Sequence, residues 1–312
     1  MASAQRSVSG PRPWTGLLAA VIAVGLIVAA ISGWNYYQNH RHSAWPQLDR
    51  PLCQATLADG RTASLDIEQA GNASLIAGVA TARGLAPRAT SIALATTFQE
   101  SGLRNLDYGD RDSLGLFQQR PSAGWGTPEQ IMDPYYATGK FFDAMVRVPN
   151  WDSTDIGQVA QAVQRSAFPE AYDQHVERAR ILASALTGET PAAWTCHLRQ
   201  PGAPDPDGLV AALNQTYGAL VFVTAPPVTP GPASVGAAAS SSPAPAQLYL
   251  EAQTPAVAWS AAAFAQSWAA RYGLSQVQVG DWSWTGHSDV LAGWVGQPLE
   301  QEPLSLRISF SG

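Results

Sequence analysis

The sequence FQESGL at residues 98–103, followed by GLFQQRP at residues 115–121, decides how the whole chain is interpreted. Residues 89–99 carry no charge, and Pro87 suits the first turn of a helix. We therefore expect a mostly buried helix whose last turn carries Glu100, with the glycine two residues later as its end. Burial and the negative end of the helix dipole both favour a protonated carboxyl there, as a general acid requires. A solvated charge at a helix end is the alternative.

Glu100 and Ser101, followed fifteen residues after the glutamate by Gly-Leu-Phe-Gln and then by Pro121, resemble the lytic transglycosylase and goose-type lysozyme superfamily. The family pattern is Glu-Ser, a loop, Gly-Leu-Met-Gln and a proline. Gly-Asp-Arg at residues 109–111 is similar to the tripeptide that precedes this block in goose-type lysozymes. The resemblance is closest to the membrane-anchored lysozyme-like proteins of actinobacteria and covers roughly residues 53–196. It implies a mainly α-helical lysozyme-like domain that acts on peptidoglycan.

The same resemblance implies a set of site residues. Glu100 is the expected catalytic acid, and Asp110 is the candidate second carboxylate. Where lytic transglycosylases have Ala-Tyr-Asn-x-Gly, this chain has AVQRS at residues 162–166, so a family tyrosine and asparagine that help hold the sugar are absent. Gln164 is the predicted substrate-binding residue of this segment. Tyr172 is either the replacement for that tyrosine or a packed core residue. The other predicted substrate-binding residues, of which the aromatic ones are equally consistent with the core, are Ser101, Gln118, Gln119, Trp125, Tyr135 and Tyr136.

The implied reaction begins with proton transfer from Glu100 to the oxygen between N-acetylmuramic acid and N-acetylglucosamine. Attack by the muramyl 6-hydroxyl gives a 1,6-anhydro sugar, whereas a water molecule activated by Asp110 gives hydrolysis. Inverting hydrolysis requires the two carboxyl groups to lie about 6.5 to 9.5 Å apart. The alternative is a non-catalytic lysozyme-like protein that binds glycan or serves as a cell-wall scaffold.

Composition excludes other classes of function. The net charge is −6 and the basic residues form no cluster, so we expect no nucleic-acid partner. The acidic loop at residues 103–114 does not reproduce an EF-hand spacing, and its aspartates suit turns, so we expect no metal and no cofactor. The expected partners are peptidoglycan glycan strands, the membrane through the N-terminal helix, and cell-wall synthesis or division proteins through the C-terminal domain.

Two cysteines, Cys53 and Cys196, bracket the segment that holds the motif. An even pair in an exported chain predicts a disulfide, and two buried thiols are the alternative. Residues 15–33 carry no charge and are long enough to span a bilayer at about 1.5 Å per residue. We favour an uncleaved anchor in the cell membrane, with the N-terminus cytoplasmic, over a cleaved signal peptide.

The predicted fold class is a mainly α lysozyme-like domain, preceded by one transmembrane helix and followed by a small α+β domain. A capping box at Asp66 predicts a helix that ends near Gly84, and alternation predicts single strands at residues 277–284 and 304–310. The predicted segments are a cytoplasmic tail at 1–14, the anchor at 15–34, a stalk at 35–52, the catalytic domain at 53–199, a linker at 200–208, and the last domain at 209–312 with a flexible insertion at 225–247.

Overall fold

The computed structural model describes residues 50–166, 168–226, 246–286, 291–297 and 303–311. The predicted tail, the predicted anchor, nearly all of the stalk and most of the insertion at 225–247 lie outside these ranges. Within them, no helix is both long and apolar enough to cross a bilayer.

The predicted fold class is wrong. Helices hold about 47% of the described residues and strands about 19%, and the strands form two antiparallel sheets. One of these sheets belongs to the region expected to be mainly α-helical. Its strands are only four or five residues long, so each has at most two or three buried positions. An alternation of buried and exposed residues this short cannot be distinguished from loop sequence.

This first sheet has the order β2-β1-β3, with β1 at Leu52–Thr56, β2 at Thr62–Asp66 and β3 at Trp194–His197. Cys53 lies directly opposite Cys196 in the β1–β3 pairing, and the two form a disulfide, which confirms that prediction. The bond closes a loop of 143 residues. A loop of this length stabilises the folded state by up to about 5 kcal/mol in the chain-entropy model.

Helix α1, Ile67–Ala82, follows β2 directly and begins as predicted at Asp66. The Asp66 carboxylate accepts a hydrogen bond from the Gln69 backbone N–H, and the Gln69 side chain accepts one from the Asp66 N–H. These reciprocal bonds satisfy amides that have no partner inside the helix.

Helix α2, Pro87–Ser101, is the predicted motif helix. It begins with a proline and ends at Gly102, whose φ of 63° is left-handed and suits glycine. Its residues from Ala89 to Phe98 are buried. Helix α1 also contacts the C-terminal end of α2, because Gln69 Nε2 donates to the Gly102 carbonyl at 2.9 Å.

The longer remaining helices of this region follow α2 in the chain. They are α3 at Pro128–Met132, α4 at Pro134–Met145, α5 at Ile156–Gln164, a 3-10 helix at Pro169–His175, and α6 at Val176–Leu186. Helix α2 packs against α5, α6 and the 3-10 helix, so its C-terminal end, which carries Glu100, lies beside residues far away in sequence.

The rest of the described chain contains a five-stranded antiparallel sheet, in the order β4-β5-β8-β6-β7, together with α-helices. The predicted single strand at 277–284 is wrong, since a turn at Gly280 and Asp281 divides it into two. The elements are α7 at Pro206–Tyr217, β4 at Val221–Thr224, β5 at Gln247–Ala252, α8 at Pro255–Ser267, α9 at Ala269–Tyr272, β6 at Leu274–Val279, β7 at Trp282–Thr285 and β8 at Ser305–Phe310.

The two sheet-containing parts share a core. Helix α8 packs against α1 on one side and against β6 on another. The indole N–H of Trp194 in β3 donates to Ser267 Oγ at 3.0 Å, and the Trp284 indole donates to the Cys196 carbonyl at 3.1 Å. The described residues from Arg50 onward accordingly form one compact unit.

Candidate functional site

Glu100 lies half-buried in the last turn of α2. The hydroxyl of Tyr172 donates a hydrogen bond to Glu100 Oε1 at 2.6 Å. Tyr172 belongs to the 3-10 helix and is completely buried. Among the described residues this is the one hydrogen bond to the Glu100 side chain, so Oε2 has no protein partner.

The Tyr172 hydroxyl is held in its protonated form. Burial raises the pKa of Tyr172 well above its usual range, and the hydrogen bond to Glu100 and the charge of that carboxylate raise it further, outweighing a smaller opposite effect from Ser166. The Tyr172 hydroxyl is therefore a hydrogen-bond donor toward Glu100 near neutral pH.

Ser101 joins the end of α2 to the GLFQQRP block. Its hydroxyl donates to the Leu116 carbonyl at 2.7 Å and accepts from the Arg104 backbone N–H at 3.2 Å. It is also within 3.2 Å of the Thr97 carbonyl. Because these backbone groups occupy the hydroxyl, Ser101 fixes the position of the Glu100 backbone relative to the block and is not oriented toward a ligand.

The block at residues 115–121 is tightly constrained. Gly115 has a φ of 77°, and a Cβ there would come within 2.8 Å of the Ile131 carbonyl oxygen, so the position requires glycine. Phe117 is buried and stacks on Phe141 at 4.4 Å between ring centroids. Gln164 in α5 donates from Nε2 to the Phe117 carbonyl at 2.7 Å, which connects the AVQRS segment to the block.

The two glutamines of the block have different environments. Gln118 has a φ of 48°, is partly exposed, and donates from Nε2 to the carbonyls of Tyr108 and Gly115 at 3.2 and 3.3 Å. Gln119 is 1% exposed and donates to the Ala137 carbonyl at 3.1 Å. Gln118 is accessible to a ligand, whereas Gln119 is part of the core.

Asp110 forms an ion pair with Arg120. Its side chain is 76% exposed, and its Oδ2 lies 2.8 Å from an amino nitrogen of Arg120. Neighbouring Asp112 accepts bonds from the backbone N–H and the hydroxyl of Ser122, which lower the pKa of Asp112. Within the described ranges no group of three or more His, Cys, Asp or Glu side chains is placed to hold a metal ion.

Two of the three predicted sugar-stacking aromatics are bonded to protein groups. The Tyr135 hydroxyl lies 3.0 Å from Thr216 Oγ1 of α7, and burial raises the pKa of Tyr135. The Tyr136 hydroxyl donates to the Trp125 carbonyl at 3.2 Å. Tyr135 thus packs against the C-terminal part of the chain. Trp125 and Tyr136 pair with each other and remain partly exposed.

The sequence did not predict two residues, from the 3-10 helix and the start of α6, that contact the helix α2 residues just before Glu100. His175 Nε2 lies 3.2 Å from Gln99 Oε1, and its ring stacks on Phe98 at 5.8 Å. The guanidinium of Arg178 lies over the Phe98 ring, 4.4 Å from the ring centroid. Burial first, and then the charge of Arg178, lower the pKa of His175. The contacting residues are more than 70 positions apart in the sequence, so no local sequence pattern predicts that they meet.

Two exposed aromatic rings belong to segments that also carry or contact residues of the site. Phe168 is 74% exposed and stands immediately before the 3-10 helix that carries Tyr172. Tyr108 is 68% exposed, and its carbonyl is bound by Gln118. Exposed rings on constrained backbone are suitable faces for stacking a sugar.

The predicted site residues separate into two groups. Hydrogen bonds connect Glu100 to Tyr172, Ser101 to the block, and Gln164 to the block. Asp110 and Tyr135 have other partners. No family model matches the chain, and no curated protein sequence matches it.

Proposed function

We propose that this protein cleaves peptidoglycan glycan strands at the bond between N-acetylmuramic acid and N-acetylglucosamine, with Glu100 as the general acid. The observation that carries the proposal is the 2.6 Å hydrogen bond from the buried Tyr172 hydroxyl to Glu100 Oε1. A solvated surface glutamate has no need of a buried donor that fixes its orientation. The Glu-Ser and Gly-Leu-Phe-Gln motifs, joined by the bond from Ser101 to Leu116, support the same reaction.

In the proposed reaction the two carboxyl oxygens have different tasks. Oε1 accepts from Tyr172, and Oε2 carries the proton that is transferred to the glycosidic oxygen. General acid catalysis of this kind contributes about 10²- to 10⁴-fold in rate. Tyr172 positions the carboxyl and does not itself transfer a proton.

The lytic mode is the better supported of the two outcomes. In this mode Glu100 protonates the leaving oxygen, the bond from that oxygen to the muramyl anomeric carbon breaks, and the muramyl 6-hydroxyl forms a new bond to that carbon. The hydroxyl proton returns to the Glu100 carboxylate, so one carboxyl completes the reaction. Hydrolysis through Asp110 would require a base that is already paired with Arg120 and is 76% exposed.

The alternative is a lysozyme-like protein that binds glycan without cleaving it, and one observation weakens the catalytic proposal. The amide nitrogen of Gln164 is used to hold the Phe117 carbonyl, so this group is not available to a sugar. The binding function would keep the aromatic faces of Phe168 and Tyr108 but would not depend on Glu100.

The Cys53–Cys196 disulfide supports a location outside the cytoplasm, where disulfides persist and where peptidoglycan is found. An association of the C-terminal part with cell-wall synthesis or division proteins stays a prediction.

Mass spectrometry of the material released from purified peptidoglycan tests the proposal. The full chain is compared with Glu100→Gln, Asp110→Asn and Tyr172→Phe. We expect anhydro-muropeptides that disappear with Glu100→Gln and persist with Asp110→Asn. Products with reducing ends that are lost with both carboxyl variants would replace the lytic mode by hydrolysis. Retention of wild-type glycan binding without any release, by every form, would establish the binding function instead.

A further inference from the structure

A cavity of about 420 Å³ lies at the other end of α2 from Glu100. Its walls come from the β1–β2 connection, the start of α2, the first residue of α5, and α6 with the segment that follows it, and Glu100 does not line it. The helix rises about 1.5 Å per residue, so Pro87 at the cavity and Glu100 are separated by about 20 Å. The volume is within the range of about 300 to 1,000 Å³ that is usual for small-molecule sites.

Charged side chains dominate the lining. Arg61 is already paired with Asp59 and with Glu177. Arg88 is partly buried, and its guanidinium donates to the carbonyls of Trp151 and Thr154, which are neutral groups. The positive charge of Arg88 therefore has no compensating anion among the described residues.

Two further lining residues have no protein partner. Within the part of the chain that the structure describes, no hydrogen bond or ion pair involves the side chain of Arg180 or that of Glu189. The cavity thus presents an uncompensated guanidinium that is held in place, a second guanidinium that is free, and one free carboxylate.

We propose that this cavity binds a short peptide with a free carboxylate and a free amino group. Arg88 and Arg180 contact the carboxylate, since the planar guanidinium matches carboxylate geometry. Glu189 contacts the ammonium group. A phosphate dianion is a poorer match because Glu189, which has no cationic partner among the described residues, repels it inside the same cavity. This inference does not rest on the proposed function.

Titration calorimetry of the full chain with alanyl-alanine, its C-terminal amide and its N-acetyl derivative tests this inference. We expect the amide to bind about 10-fold more weakly than the free acid, because it has lost its charge. Arg180→Ala should weaken binding of the free acid by a similar factor. Glu189→Gln should weaken binding of the dipeptide but leave the N-acetyl derivative unchanged.

Arg147→Ala is the matched control, because Arg147 is an exposed arginine without a side-chain partner in the described residues and does not line the cavity. This variant and Glu100→Gln should bind the dipeptide as the wild type does. Equal affinity for the acid and the amide, equal weakening by Arg147→Ala, or no saturable binding below about 10 mM would overturn the inference. Loss of dipeptide binding with peptidoglycan release intact would leave the proposed function standing.

Discussion

The two ends of helix α2 carry different chemistry. At the C-terminal end, Glu100 is oriented by the neutral hydroxyl of Tyr172, and Ser101 is bound to backbone carbonyls. At the N-terminal end, Arg88 lies in a cavity with Arg180 and two carboxylates. The residues between the two ends are buried in the core, so the two sites share no surface along the helix. Effects of substitutions at sites so far apart should be independent.

Glu100→Gln has the largest expected effect. The amide keeps the shape of the side chain but cannot donate the proton, so peptidoglycan release should fall by about 10²- to 10⁴-fold. Rates of muropeptide release measure the effect. Glu189→Gln makes the same chemical change at the other end of α2 and should leave the rate unchanged, and a comparable loss there would contradict the separation of the two ends.

Tyr172→Phe should have the next largest effect. The ring stays in the core, but Glu100 loses the donor that orients it. We expect the kcat of release to fall about 10-fold, which corresponds to the loss of one hydrogen bond worth about 1.4 kcal/mol. The control is Tyr217→Phe, because Tyr217 is equally buried and its hydroxyl lies 3.0 Å from Ser260 Oγ, away from Glu100. An equal fall in kcat for both variants would make the effect structural.

Phe168→Ala should act on binding of the glycan and not on the chemical step. Covering about 50 Å² of the ring at about 25 cal/mol per Å² stabilises the complex by about 1 kcal/mol, so KM should rise about 5- to 10-fold with kcat unchanged. Phe222→Ala provides the comparison, since Phe222 is also exposed but lies in β4. Unchanged KM for Phe168→Ala would remove Phe168 from the site.

His175→Gln should change the pH dependence of stability. Because burial lowers the pKa of His175, the unfolded chain binds the proton more readily than the folded chain. The wild type should therefore lose stability as the pH falls below about 6.5, while the variant should lose less. Thermal midpoints between pH 5 and 8 measure the difference, and parallel curves for the two proteins would contradict it.

Asp110→Asn should have the smallest effect. The substitution breaks an exposed ion pair with Arg120, and such pairs contribute little to stability, about 0 to 1 kcal/mol. In the lytic mode the rate should change less than about 2-fold. A loss of release comparable with that of Glu100→Gln would assign Asp110 to the reaction and favour hydrolysis.

Helix α2 could be predicted from the sequence because its signals are local. Pro87 sets its beginning, Gly102 its end, and the uncharged residues between them its burial. The same holds for the capping box at Asp66. The position of Glu100 in its helix could therefore be predicted from the sequence, whereas its hydrogen bond with Tyr172 could not.

Contacts between distant segments were not available in the same way. Tyr172 reaches Glu100 across 72 residues, and β1 pairs with β3 across the disulfide loop of 143 residues. At residues 277–284 the alternation continues through the turn at Gly280, so two strands resembled one. Pairing and register depend on where the chain returns, which no short pattern encodes.

The Cys53–Cys196 bond has a consequence for the behaviour of the protein toward proteases. Helices α1 to α6, Glu100, Tyr172 and the GLFQQRP block all lie in the chain between the two cysteines. A single cut in any loop of this segment leaves two fragments that are still covalently joined. Such a nicked molecule would migrate as one species until it is reduced, and its halves would remain held together in a protease-rich surrounding.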